Sequence, residues 1–257
     1  MANNSLYPDI LFHFTSSKTN LFSILDDTFR LSYASETLLG PATSKSFALP
    51  MVSFCDLRVT ELKYHMTKYG NYGIGLTKDW ANKMGLSPVL YLSRHAEIVD
   101  TLSRGIDDLY DILINHTEPA QEIKMRNAYN ASFSTLHFVK NYQADLTRKN
   151  KLYRDFRFAD EREWRYIPNL FVDRDLCVLN PSQIDTSAKK QFANTRINMH
   201  TLHFQPDDIK YLIIKDDREI NELIRVIRNI KGPRFSSDIV DRLMTRILTS
   251  EQIHYDI

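Results

Sequence analysis

The chain has 257 residues, 43% hydrophobic and 25% charged, proportions of a globular protein that buries a substantial core, which excludes a disordered or membrane-embedded polypeptide. Its 33 basic and 32 acidic residues leave a net charge of +1, so a uniformly basic nucleic-acid surface is excluded and only a local patch stays open. Cys55 and Cys177 are the only cysteines, too few for a disulfide framework or a four-thiolate zinc site, and no metal is expected. The first residues lack the basic start and apolar run of a signal peptide. No stretch approaches the roughly 18 apolar residues of a membrane span. The expected compartment is the cytoplasm.

In chain order, residues 10–15 read as a strand rich in aromatic and β-branched side chains. The polar run 16–20 caps a short helix carrying Leu21, Phe22, Ile24 and Leu25 at helical spacing. Met51 to Cys55 is the next expected strand, and Asp56 opens a helix with Leu62, His65 and Met66. Residues 70–76 form a glycine-rich turn into a strand, 79–84 a helix closed by Gly85, and 88–92 another strand. From about 93 to 145 the pattern becomes helical, with Ile98, Leu102, Ile106, Leu109, Ile112 and Leu113 on a stripe and Pro119 before a second helix. This segment reads as a helical insertion. Strands follow at 163–168, 202–204 and 209–214, and helices at 219–229 and 237–248 lie within a C-terminal helical region of about 217–249. The expectation is one α+β domain over 1–257, with a compact mixed or antiparallel β core and surrounding helices.

Common catalytic signatures are missing from the sequence: no phosphate loop, no His-Glu-x-x-His, no Gly-x-Ser-x-Gly. Gly70 to Gly75 has the wrong glycine order for a dinucleotide fingerprint. Cys55 beside Asp56 reads better as a small core residue than as a nucleophile served by His65. The segment Asp160 to Tyr166 is more informative. Period-two alternation puts Glu161, Glu163 and Arg165 on one side of an extended chain and Trp164 and Tyr166 on the other. Two such carboxylates can orient a ribose hydroxyl and stabilise positive charge developing on a sugar carbon. The plainer reading is a solvated edge strand with Glu–Arg pairing. On the first strand, His13 and Thr15 share a side and can jointly bond a polar ligand.

His13-Phe14-Thr15 followed by Asn20-Leu21 and Ile24-Leu25 resembles the opening of bacterial families with an ADP-ribosyltransferase-like fold. The ordered set Val52 to Asp56, His65, Tyr69 to Leu76, Trp80, Pro88 to Tyr91 and Asp160 to Tyr166 resembles the AbiGi family of abortive-infection, phage-resistance proteins. Members are often labelled as antitoxins paired with a second gene product. The resemblance implies a phage-defence role, either as an NAD-using ADP-ribosyltransferase or NAD glycohydrolase, or as a non-catalytic antitoxin. In the enzyme form His13 holds the nicotinamide ribose, Glu163 is the essential glutamate and Glu161 its companion. Ser53, or Tyr69 and Tyr72, would supply the middle element, and Thr15 and Arg165 complete the expected cofactor-binding set. In the antitoxin form the segment 93–145 and the C-terminal helix meet a cognate toxin or defence protein. The remaining expected partners are a second copy of the chain and a nucleic-acid acceptor met by the basic and aromatic residues of 148–158.

Overall fold

The computed structural model describes residues 8–115, 119–148, 151–171 and 175–256. Strand β1 (Ile10–Thr15) turns through Ser17 into helix α1 (Lys18–Asp26), which buries Leu21 and Leu25, one turn apart. Next come β2 (Phe29–Arg30), β3 (Ser32–Leu39) and β4 (Ser44–Cys55). Helix α2 (Leu62–Tyr69), β5 (Tyr72–Thr77), α3 (Lys78–Lys83), β6 (Ser87–Pro88) and β7 (Leu90–Leu92) follow. Two long helices, α4 (Ile98–Ile114) and α5 (Pro119–Leu136), pack on each other. Beyond them lie β8 (Val139–Asn141), β9 (Gln143–Arg148), β10 (Lys151–Arg157) and, after a 3-10 turn over Phe158–Glu161, β11 (Glu163–Tyr166). The last third carries α6 (Ser187–Arg196), β12 (Thr201–Leu202), β13 (Ile209–Ile214), α7 (Ile220–Lys231), α8 (Ser237–Met244), β14 (Ile247–Thr249) and α9 (Ser250–Tyr255).

The main sheet runs β14-β13-β5-β1-β4-β11-β6, with β3 paired along the first part of β4. Its pairings are antiparallel except β13 with β14. The fold is therefore mixed α+β with a largely antiparallel sheet, as expected. The two faces of the sheet are unlike. One carries Leu11, Phe54, Ile74 and Leu76, packed with Phe29 and Trp80 in the larger apolar cluster, while Phe12, Phe14 and Cys55 pack with α2 and α9 on the other.

Several expected elements differ from those observed. The β3–β4 hairpin is absent from the sequence reading because β3 buries only Tyr33 and Leu38, leaving small polar residues between them and little alternation to detect. The second insertion helix stops at Leu136 rather than about 142, and 139–148 is extended. The expected helix 237–248 ends at Met244, since Ile247–Thr249 forms a strand beside β13. The basic and aromatic stretch of 148–158 is not a loop but the β9–β10 hairpin; Lys149 and Asn150 lie outside the described residues. Helix α4 is tied down by Asp100, whose carboxylate accepts from the Ala42 and Thr43 amides at 3.0 Å and the Thr43 hydroxyl at 2.6 Å.

Candidate functional site

Strands β1, β4 and β11 are neighbours, but β1 and β4 pair only at Phe12–Cys55. Past that pair the sheet splits, and a cavity of about 1010 Å³ is bounded by β1, β3, β4, α2, β9 and the turn before β11. The volume is at the upper end for small-molecule sites. His13, Ser53, Tyr69, Glu161 and Glu163 all line it.

Glu163 sits opposite Cys55 in the β4–β11 register, with Arg165 opposite Ser53. Its carboxylate is 6% exposed and saturated. One oxygen accepts from Ser53 Oγ at 2.9 Å and Arg165 Nε at 2.7 Å, the other from Lys140 Nζ at 2.7 Å. Arg165 is fully buried, pairs with Glu36 at 3.0 Å and donates to the His137 carbonyl at 2.7 Å. Burial disfavours charge on Glu163, but Lys140 and Arg165 outweigh it and hold the carboxyl well below the usual range. The same attraction, to Glu36 and Glu163, outweighs burial and raises both Lys140 and Arg165. Two carboxylates and two cations thus close into one neutral buried quartet, which is how such charges persist away from water.

Glu161 belongs to a different environment. It ends the 3-10 turn, and Arg162 in the left-handed region (φ 44°) redirects the chain into β11. Glu161 is therefore not on the strand, yet it lines the same cavity. Tyr69 donates to its Oε1 at 2.7 Å, and His65 lies 3.9 Å away. Burial, partly opposed by Lys140 and Tyr69, raises its pKa. The His65 ring stacks on Tyr69 at 4.2 Å, and burial and then Lys68 lower its pKa to about 3, so it is neutral. Arg148 Cζ lies 3.9 Å from the Tyr69 centroid; two groups so close must take opposite faces of the ring.

His13 is on the other side of the sheet from Glu163. Its ring packs against Phe29 at 5.2 Å and Phe54 at 5.6 Å, and its Nδ1–H donates to the Ser53 carbonyl at 2.9 Å across the split. That bond fixes the tautomer, and burial lowers the pKa. Thr15 does not line the cavity: its hydroxyl accepts from Ser17 N at 3.4 Å and Asn20 Nδ2 at 3.1 Å, serving the entry to α1. Tyr72 donates to Glu219 at 3.1 Å, remote from the site, and the Gly70–Gly75 turn forms no part of the wall. Arg165 lies beneath Glu163 and orients it rather than facing the cavity. Cys55 is buried, and burial pushes its thiol up, which disfavours the thiolate a nucleophile needs. The sequence reading missed Glu36, Lys140 and Lys190, and placed Arg148 in the 148–158 nucleic-acid patch rather than at this cavity. Lys140 sat inside an expected helix, and the other three come from elements whose adjacency is purely tertiary.

Residues 31–215 match the family described as "Putative abortive phage resistance protein AbiGi, antitoxin". One relative, "Abortive phage resistance protein AbiGi" of Lactococcus lactis subsp. cremoris, is 26% identical over 232 residues, covering 82% of this chain and 90% of its own. No solved structure matches. The family match contains Glu36, Ser53, Tyr69, Lys140, Glu161, Glu163 and Arg165, whereas His13 and Thr15 precede it. The chain belongs to the AbiGi family of abortive phage resistance proteins.

Proposed function

We propose that this chain is the antitoxin component of a phage-defence pair, acting by binding a partner protein through the α4–α5 hairpin. The observation that carries this reading is the exposure of large apolar side chains there: Ile98, Tyr110, Ile112, Ile114 and Ile123 are 47–71% exposed. Large apolar side chains left exposed along one hairpin offer contact area to a partner, and the family description names an antitoxin. The buried quartet adds to it. A glutamate whose oxygens accept from Ser53 Oγ, Arg165 Nε, Lys140 Nζ and, at 3.3 Å, Arg165 Nη2 has all four acceptor positions taken, and His13 faces aromatic rings. The test is to express the toxin of the same defence pair with and without this chain. Growth rescue and co-purification are expected, both lost in an Ile112→Asp/Ile123→Asp variant. Rescue untouched by that variant would overturn the role of the hairpin.

A second reading keeps the enzyme, and one observation favours it: Glu161 is a carboxyl with raised pKa, held by Tyr69, on a cavity able to take a dinucleotide. In that reading the ADP-ribosyltransferase-like frame corresponds to neighbouring strands carrying His13, Ser53 and Glu163. NAD is the substrate, Glu161 acts at the ribose, and Glu163 is a positioning residue. Calorimetric NAD binding and nicotinamide release, abolished by Glu161→Gln, are expected. The absence of NAD binding would sink it.

A further inference from the structure

Charge around the cavity is balanced in number, four acidic and four basic residues on the wall, but not all of it is paired. Lys140 and Arg165 are matched by Glu36 and Glu163, and Arg94 pairs with Asp155 at 2.8 Å. Two further cations line the wall without a carboxylate. Arg148, on β9, uses Nε for the Lys68 carbonyl at 3.1 Å and lies flat on Tyr69, which leaves its two Nη groups unbonded among the described residues. Lys190, on α6, is half-buried and its ammonium has no hydrogen bond or ion pair there. Asp145 also lines the cavity, but forms no ion pair with either; its Oδ1 accepts from the Asp155 amide at 2.9 Å. The two cations come from different elements, and Lys190 is held down by burial and then by the Arg148 charge. A half-buried ammonium beside an unpaired guanidinium is unfavourable until an anion arrives.

We propose that the cavity binds a small nucleotide, its phosphate held between Arg148 and Lys190. A phosphate fits because the stacked guanidinium presents a fixed fork and the lysine a point charge. Glu161, on the same cavity, accepts from a ribose hydroxyl or a base amino group, and the volume of about 1010 Å³ suits a ligand of this size. A nucleic-acid strand is disfavoured by the modest net charge and by a site set inside a split sheet rather than along a surface groove. The inference is independent of partner binding and of any cleavage of NAD; it describes a ligand-sensing site in an AbiGi protein.

The test is calorimetry and thermal shift on the full chain with ADP, adenosine, inorganic pyrophosphate, NAD and a short single-stranded RNA. ADP is expected to bind and adenosine not. Lys190→Gln and, separately, Arg148→Gln are each expected to weaken ADP by about tenfold or more, the loss of one charged hydrogen bond. Lys190 carries no structural contact, so Lys190→Gln keeps the test valid if Arg148→Gln disturbs Tyr69. Binding of pyrophosphate with the same dependence on Lys190 would support the subsite. Equal binding of ADP and adenosine, no binding of any probe, or RNA outcompeting ADP would overturn it. NAD binding with an affinity unchanged by Lys190→Gln would remove this subsite while leaving the NAD reading standing.

Discussion

Glu163 and Glu161 lie two positions apart, yet their surroundings give them opposite chemistry. Glu163 is ionised and locked by Lys140 and Arg165; Glu161 is lifted by burial. Breaking the quartet is the costly change. Arg165→Met is expected to destabilise by about 3–5 kcal/mol, because it strands buried carboxylates, as measured by urea denaturation; a loss below about 1 kcal/mol, the level of an exposed pair, would contradict the quartet. The histidines set the acid response. Unfolded histidine takes up its proton near pH 6.5, but His65 does so near 3 and His137, lowered by burial and then Arg165, near 4. In that window the unfolded state binds more protons, so stability is complete above about pH 6.5 and falls as pH drops. Below the unfolded carboxylate value of about 4.3 the contribution of Glu163 is lost as well, whereas Glu161, with its pKa raised, works in the opposite sense. His137 Nε2 is buried without a hydrogen-bond partner among the described residues. His137→Leu should therefore flatten the slope between pH 4 and 6.5 at little cost in stability at pH 7. An unchanged slope would rule out its share.

The turn joining α2 to β5 carries the strictest local requirement. Gly70 has φ +120°, and a Cβ there would lie 2.3 Å from the Thr15 carbonyl oxygen and 2.4 Å from Ser16 Cα. Both neighbours are backbone and cannot step aside. Gly70→Ala is expected to cost at least about 1–3 kcal/mol from the backbone conformation alone, read as a lowered denaturation midpoint, and it would misalign β5 against β1. The work of this glycine is to let α2 end against the first strand. The expected strand at 163–168 is observed as Glu163–Tyr166, and its alternation holds for Glu163 and Arg165, which share a face, but not for Glu161, which lies in the preceding 3-10 turn. The solvated edge that went with the plainer reading is not observed, because β6 and β4 flank β11. Its Glu–Arg pairing is present, but buried.

For the molecule as a whole, the proposed ligand site lies in the split sheet and the proposed partner surface on the α4–α5 hairpin. Ile112 and Ile123 are 52% and 71% exposed, so Ile112→Asp and Ile123→Asp should alter stability by no more than about 0.5 kcal/mol each. Partner capture, measured by co-purification, should fall sharply. A large drop in melting temperature instead would mean these residues support the fold.

Periodicity and turn residues indicated an α+β chain, and the resemblance of the ordered motifs pointed to the AbiGi family and singled out His13, Ser53, Tyr69, Glu161 and Glu163, which line one cavity, together with Thr15, Tyr72 and Arg165, which do not. These are local signals: each depends on residues a few positions apart. Which of them remain free was decided only in three dimensions. Lys140 reaches Glu163 from 23 positions upstream and Glu36 reaches Arg165 from across the sheet, and those pairings occupy the carboxylate expected to act at the ribose. His13 turned out to face the aromatic side because strand alternation opposes it to Phe12, whose partner Cys55 shares the side of Glu163. Arg148 and Lys190, without an ion pair among the described residues, come onto one cavity wall only through the fold. A charge becomes functional or structural according to its neighbours, and neighbours are a property of the fold.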